Sequence, residues 1–209
     1  MRAHPSPRLL AEYAAGDLAL EPALAVAAHT HLCPRCRAAA DAAQDAEGER
    51  LAGAAEAELA PGLLERTLAR LDEPVERPEP CRRMSVGDIR LPTPVARVGV
   101  GRRRFVAPDF WVAPVRTSQR EGWRTYILRA PAGARIPRHR HKGPELICVL
   151  TGAFADREVF RAGDFIEGGG EAEHELRILR DGPCACLVSS QGGADWRGVL
   201  RLAAPALGV

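Results

Sequence analysis

His29-Thr30-His31-Leu32-Cys33-Pro34-Arg35-Cys36 sets one imidazole and two thiols at spacings that close on a single metal ion. His29 and Cys33 are four residues apart and share a face if a helix persists, and Cys36 returns to that face three residues later. His31 is two residues from His29 and points elsewhere. His4, which lies just ahead of the first helix, is the candidate fourth ligand. Two thiolates with two imidazoles make a closed tetrahedral shell, the arrangement of a structural zinc. Two other readings stand beside it: an incidental cysteine pair, and a redox-active dithiol, since thiols at a helix N-terminus have lowered pKa values. The dithiol need not exclude zinc, because oxidation would release the metal.

The flanking sequence is helical. Ser6 can cap a helix with Pro7 in its first turn, and Leu9, Leu10, Tyr13 and Ala14 share one face until Gly16 ends it. A second helix runs from about Glu21-Pro22 to His29, a third from Cys33-Pro34 to about Glu47, and a fourth over 61–71 with Leu63, Leu64, Leu68 and Leu71 at helical spacing. Four short helices make a thin core, and a zinc ion would supply the missing stability.

Composition bounds the rest. With 209 residues, 46% of them hydrophobic, the chain can fill one large or two small cores. Its apolar stretches are broken by charge or proline well short of the roughly 20 residues of a membrane span. The N-terminal residues lack an apolar signal core, so a cytoplasmic location is expected, where Cys33 and Cys36 read as a metal pair rather than a disulfide. The net charge of +2 conceals an asymmetry: residues 1–80 hold 8 Arg against 14 acidic residues, and residues 81–209 hold 21 basic against 13 acidic. The acidic part is suited to a basic protein partner rather than to nucleic acid. Arg102-Arg103-Arg104 has no interleaved aromatic platform and reads as a solvated charged face.

Pro74, Pro78, Pro80, Pro92 and Pro94 interrupt helical periodicity and predict a semi-extended linker, which carries Cys81 as a free thiol. The expected division is residues 1–75, a linker over 76–94, a second domain over 95–192 and a tail over 193–209. Within the second domain, short β-type runs follow at 110–115, 123–129, 146–150, 164–166, 175–179 and 184–189, the spacing of a sandwich or barrel. His139 and His141 are two apart and project from one face of a strand; Glu145, after the Gly143-Pro144 turn, and His174 from a later strand can complete a three-histidine, one-glutamate shell. Zinc, iron, manganese or nickel would suit it.

Two resemblances follow from these residues. The His29-x3-Cys33-x2-Cys36 run behind a capped helix resembles the zinc-binding anti-sigma family, which implies His4, His29, Cys33 and Cys36 as ligands. Gly133, His139-x-His141, Glu145 and Gly152 match the first cupin motif; Gly163 and His174 keep their places in the second, where Gly169, Glu171 and Ile178 stand in place of the usual proline, glycine and asparagine. Together they look like the ChrR-type zinc anti-sigma factors. The resemblance implies a small helical zinc domain joined to a cupin jelly-roll barrel. It also implies an extracytoplasmic-function sigma factor as partner, and release of that factor under singlet-oxygen or related oxidative stress with the cupin required.

On a strand, Cys184 and Cys186 face one side and could act as a sensor pair, or serve simply as core residues, as Cys148 does. Two other function classes remain: a metal-dependent cupin enzyme such as a dioxygenase, and a metal-dependent DNA-binding repressor, for which no recognition-helix signal exists.

Overall fold

The computed structural model describes residues 1–71, 73–74, 84–118, 120–170 and 173–196. Cys81, Glu171, residues 76–83 of the expected linker and residues 197–209 lie outside them. Four helices come first: α1 (Pro7–Ala15), α2 (Leu20–Leu32), α3 (Pro34–Ala52) and α4 (Leu63–Ala69). The hairpin β1 (Ser85–Val86) and β2 (Ile89–Arg90) leads to a short helix, α5 (Thr93–Val98). The remaining strands are β3 (Arg104–Ala107), β4 (Phe110–Pro114), β5 (Trp123–Ala130), β6 (Arg135–His141), β7 (Pro144–Thr151), β8 (Ala153–Ala155), β9 (Val159–Arg161), β10 (Phe165–Gly169), β11 (His174–Ile178), β12 (Cys184–Gln191) and β13 (Ala194–Trp196).

The strands form a six-stranded sheet ordered β10-β7-β12-β5-β4-β3 and a five-stranded sheet ordered β13-β6-β11-β8-β9, antiparallel at every pairing. This is the expected combination of helices and a cupin barrel. Period-2 alternation decides what each face of the larger sheet meets. Val112, Tyr126, Ile147, Cys184, Cys186 and Val188 point between the sheets and pack with Ile136, Phe154, Leu176 and Ile178 of the smaller one. Trp111, Ala113, Ile127, Leu146, Phe165 and Leu187 point the other way.

That outer face is where the helices lie. Leu9, Leu10, Leu24, Ala25 and Val26 share one core with the outward residues of the sheet, and α2 supplies most of the contact, with Ala25, Val26 and Ala28 fully buried. A sheet apolar on both faces must be covered on both. The thin helical core expected from sequence is therefore completed by the barrel. Residues 84–94, expected as the far part of a tether, are built into the same core together with the rest of α5: Ile89, Leu91 and Val95 are buried there, and Arg129 grips Asp88 in the hairpin turn through bonds of 3.0–3.3 Å. Proline 94 does not break structure here because it occupies the first turn of α5, where its missing N–H costs nothing.

The ends of α1 match their sequence signals. The Ser6 side chain accepts a hydrogen bond from the Leu9 amide at 3.2 Å, and Gly16 closes the helix at φ 79°, a left-handed conformation suited to glycine. The fourth helix differs from expectation. Its leucines reach no core: Leu64, Leu68 and Leu71 are 61%, 52% and 72% exposed, and no residue of α4 is buried. The periodicity does form a helix, but the outer sheet face is covered by α2, and α4 buries none of its residues. Arg103, one of the three consecutive arginines, lies over the rings of Phe105 and Trp111 at 5.4 and 5.6 Å. Among the described residues, no helix is long and apolar enough to cross a membrane.

Candidate metal centres

The first cluster forms where two helices meet. Helix α2 stops at Leu32 because Pro34 has no N–H to continue its ladder; Cys33 turns extended, and its amide donates to the His29 carbonyl at 2.8 Å. Pro34 then opens α3 and brings Cys36 round on its first turn. Arg37, which no motif singled out, holds the junction by donating to the Thr30 and His31 carbonyls at 3.1 and 2.8 Å. Its only sequence signal is a cation placed where unpaired carbonyls at the end of α2 need donors.

His4 arrives from the segment ahead of α1. Its Nδ1 lies 3.2 Å from Cys36 Sγ and 3.6 Å from Cys33 Sγ. Ligand atoms of His4, His29, Cys33 and Cys36 all fall within 4.8 Å of one another. Tetrahedral zinc with ordinary Zn–S and Zn–N bonds sets N and S ligands about 3.6 Å apart, so the four side chains fit. His31, exposed on the far side of α2, takes no part.

The electrostatics agree with that fit. His29 is completely buried, and neither ring nitrogen has a hydrogen-bond partner. Such an orphaned imidazole is costly unless something not seen by protein–protein contacts satisfies it. Burial, then the neighbouring His4, hold its pKa down at about 4, against a weaker upward pull from the Gly163 backbone, which approaches without reaching hydrogen-bonding geometry. The ring is thus neutral, the form that binds metal. Burial and the Cys33 hydrogen bond push the Cys36 thiol up to about 11. A reactive dithiol needs the opposite, so the metal-free geometry does not favour the redox reading; a bound cation would restore the thiolates.

The second cluster lies inside the barrel. Strand β6 presents His139 and His141 on one face, β11 pairs His174 directly opposite His139, and β7 follows with Glu145. The His174 Nε2 is 2.9 Å from His141 Nε2 and 3.1 Å from His139 Nε2. Three Nε2 atoms converging so closely fit a shared cation: at the Zn–N distance of 2.0–2.1 Å, neighbouring nitrogens of a six-coordinate ion would be about 3.0 Å apart. Glu145 Oε2 reaches His141 Nε2 at 3.1 Å, but Glu145 falls outside the mutual 4.8 Å grouping of the three histidines. Burial lowers His139 to about 4 and His141 to about 3, and raises Glu145 to about 8. A buried carboxyl beside neutral imidazoles is what a cation would ionise.

Two of the three rings are aimed by a partner behind them, while His141 Nδ1 is buried without a hydrogen-bond partner. His139 Nδ1 lies 2.9 Å from the Pro137 carbonyl, and His174 Nδ1 lies 3.2 Å from Asp156 Oδ2. Carboxylates behind metal-bound histidines set tautomer and orientation. Asp156 sits in the turn between β8 and β9, outside any motif spacing, and only the pairing of β8 with β11 reveals it. On the open side a pocket of about 240 Å³ is walled by His141, Glu145, Asp156, Arg157, Phe160 and His174.

Departures from the second cupin motif are absorbed locally. Gly169 has φ 118°, and a Cβ there would fall 2.5 Å from the Gly143 carbonyl oxygen, so the backbone that replaces proline requires glycine. Ile178 joins the apolar barrel core. Cys184 and Cys186 face the barrel interior with their sulfurs 3.9 Å apart, both buried and unbridged, and the mutual hydrogen bond and burial push Cys186 well up. Cys148 lies in the core toward the helices.

A family model described as the ChrR cupin-like domain matches residues 104–192. The chain is 35% identical over 204 residues to the anti-sigma-E factor ChrR of Cereibacter sphaeroides, covering 91% of this chain and 90% of that protein. It is also similar to the structure of Rhodobacter sphaeroides SigE in complex with the anti-sigma ChrR, with a TM-score of 0.76, 32% identity, and coverage of 91% of this chain and 100% of that one.

Proposed function

The chain belongs to the ChrR family of anti-sigma factors, and on that premise we propose how its two parts divide the work. As an anti-sigma factor it is a regulator rather than an enzyme. Residues 1–75 hold an extracytoplasmic-function sigma factor inactive in the cytoplasm; residues 95–192 sense oxidative stress of the singlet-oxygen type and cause release. The observation that carries the partner reading is the exposed leucine face of α4, with Leu64 and Leu68 on the helix and Leu71 just past its end standing in solvent and no residue of the helix buried among the described residues. An exposed apolar face of this kind marks an interaction site, and the relative of known structure is in complex with SigE.

Zinc is proposed at His4, His29, Cys33 and Cys36, where the orphaned His29 ring and paired thiols support it. A second divalent ion, zinc or another, is proposed at His139, His141 and His174 with Glu145. The first ion fixes the helix junction; the second faces a pocket open to a small ligand of unknown identity. That open pocket is also what a cupin dioxygenase would need, and turnover of a small molecule by the iron-loaded chain would restore the enzyme reading.

The test is co-expression of the tagged chain with the sigma factor encoded beside it. Co-elution of the sigma factor supports the reading, and its absence refutes it. Cys33→Ser with Cys36→Ser should abolish co-elution. His139→Ala should keep it but prevent release after illumination with a photosensitiser; if both variants behave alike, the division of labour is wrong.

A further inference from the structure

We propose that the segment Met1–Ser6 couples the two metal sites, because it carries His4 into the first while strapped to β10, a strand that walls the second. This rests on the reading that both clusters bind metal. Strand β10 is the outer strand of the six-stranded sheet, where backbone groups would otherwise stand unpaired. The strap takes up that edge. The Phe165 amide donates to the Ala3 carbonyl at 3.0 Å. The Asp164 carboxylate accepts from the Arg2 and Ala3 amides at 2.7 and 3.3 Å. The Glu167 carboxylate accepts a short hydrogen bond from the Ser6 amide and one of 3.1 Å from the Ser6 hydroxyl. Met1 covers Gly163, where a Cβ would fall 2.6 Å from its Cε, and the Phe165 ring packs edge-on against His29 at 5.5 Å.

The same strand borders the second site. Ile166, Glu167, Gly168 and Gly169 line the pocket with His141, Glu145 and His174, and Gly168 is paired in register with Glu145. Glu167 therefore belongs to both: its carboxylate anchors Ser6, two residues from His4, and the residue itself forms part of the pocket wall. Ser6 is also the cap of α1, so the anchor holds the start of that helix. A shift of β10 that accompanies filling or emptying of the second site is passed to His4 through two carboxylates and one backbone hydrogen bond. Binding coupling is reciprocal, so metal at the first site must act on the second by the same factor, with about 5–150-fold the usual range.

The experiment uses the full chain loaded with cobalt(II) at the first site, whose thiolate ligands give a sulfur-to-metal absorption that the all-nitrogen-and-oxygen second site lacks. Cobalt affinity is measured by chelator competition with the second site filled by zinc and with it emptied by His139→Ala plus His141→Ala. The two affinities should differ by at least about 5-fold. With Asp164→Asn and Glu167→Gln added, the difference should fall below about 2-fold while the unmutated histidine background still binds two ions per chain. Equal affinities with the second site filled and emptied, or a full difference retained without the two carboxylates, overturns the proposal. Fewer than two ions per parent chain defeats the metal reading itself, and the proposal with it. Should the carboxylate variant fail to fold, amide hydrogen exchange at Ala3 and Phe165 decides: protection should change at least about 5-fold between filled and empty second sites, and unchanged protection overturns the coupling.

Discussion

Asp156 Oδ2 stands 3.2 Å from Nδ1 of His174, and this contact turns the ring so that its Nε2 faces those of His139 and His141. A residue outside the three-histidine cluster thus orients one of the rings proposed to hold the metal. Asp156→Ala should weaken metal binding at the second cluster by about 10–100-fold, measured by chelator competition with the first cluster kept filled. An unchanged affinity would show that the turn carboxylate does not orient the ring.

The exposed leucines of α4 give a second expectation. Leu64→Asp or Leu68→Asp should leave the melting curve within about 0.5 kcal/mol of the parent, as for surface substitutions. Sigma-factor affinity, measured by calorimetry or surface capture, should fall by about 30-fold or more, the loss of roughly 2 kcal/mol that marks a central interface residue.

Phe165 joins the helices to the sheet. Its ring is buried against His29 on one side and the outer sheet face on the other. Phe165→Ala should cost about 3–5 kcal/mol. Because α2 and the barrel share a core, helical and near-ultraviolet signals should melt together in parent and variant alike; two separated transitions would contradict the shared core.

Arg129 makes three guanidinium contacts to Asp88, and its hydrogen bond is the main reason the Asp88 carboxyl lies below its ordinary range. A depressed folded-state value means the stabilisation is complete above the unfolded carboxylate pKa of about 3.9 and is lost as pH falls through the lower folded value. Asp88 is 57% exposed, so solvent screening limits the effect to about 0.2–1 kcal/mol. Denaturant midpoints measured from pH 5 to pH 2 should show this slope in the parent chain and less of it in Arg129→Met.

Both candidate metal clusters were legible in sequence as groupings of side chains, since ligand chemistry constrains residue type as well as spacing. His29, Cys33 and Cys36 are local to one helix junction. His139 and His141 obey the period of a strand. What sequence did not disclose were the long-range partners: Asp156 behind His174, Glu167 on Ser6, and Asp164 on the first residues of the chain. None has a motif, because a carboxylate in a turn or on an edge strand looks the same whether it meets water or an amide 160 residues away. The same limit explains α4 and residues 84–94. Periodicity and proline content describe what a segment can become, while burial is decided by which other segment claims the sheet face first.

The two-faced sheet has a practical consequence for how the protein can be handled. On strands β4, β7 and β12 nearly every residue is apolar or buried, one set inward and the other toward the helices, and β5 and β10 add Ile127 and Phe165 to the outward set. A fragment beginning after the helices would present Trp111, Ile127, Leu146, Phe165 and Leu187 to solvent as a contiguous sticky plate, and would aggregate or capture other proteins nonspecifically. Fragments of this chain are therefore poor stand-ins for its parts, and its functions are best separated by point substitution within the intact molecule.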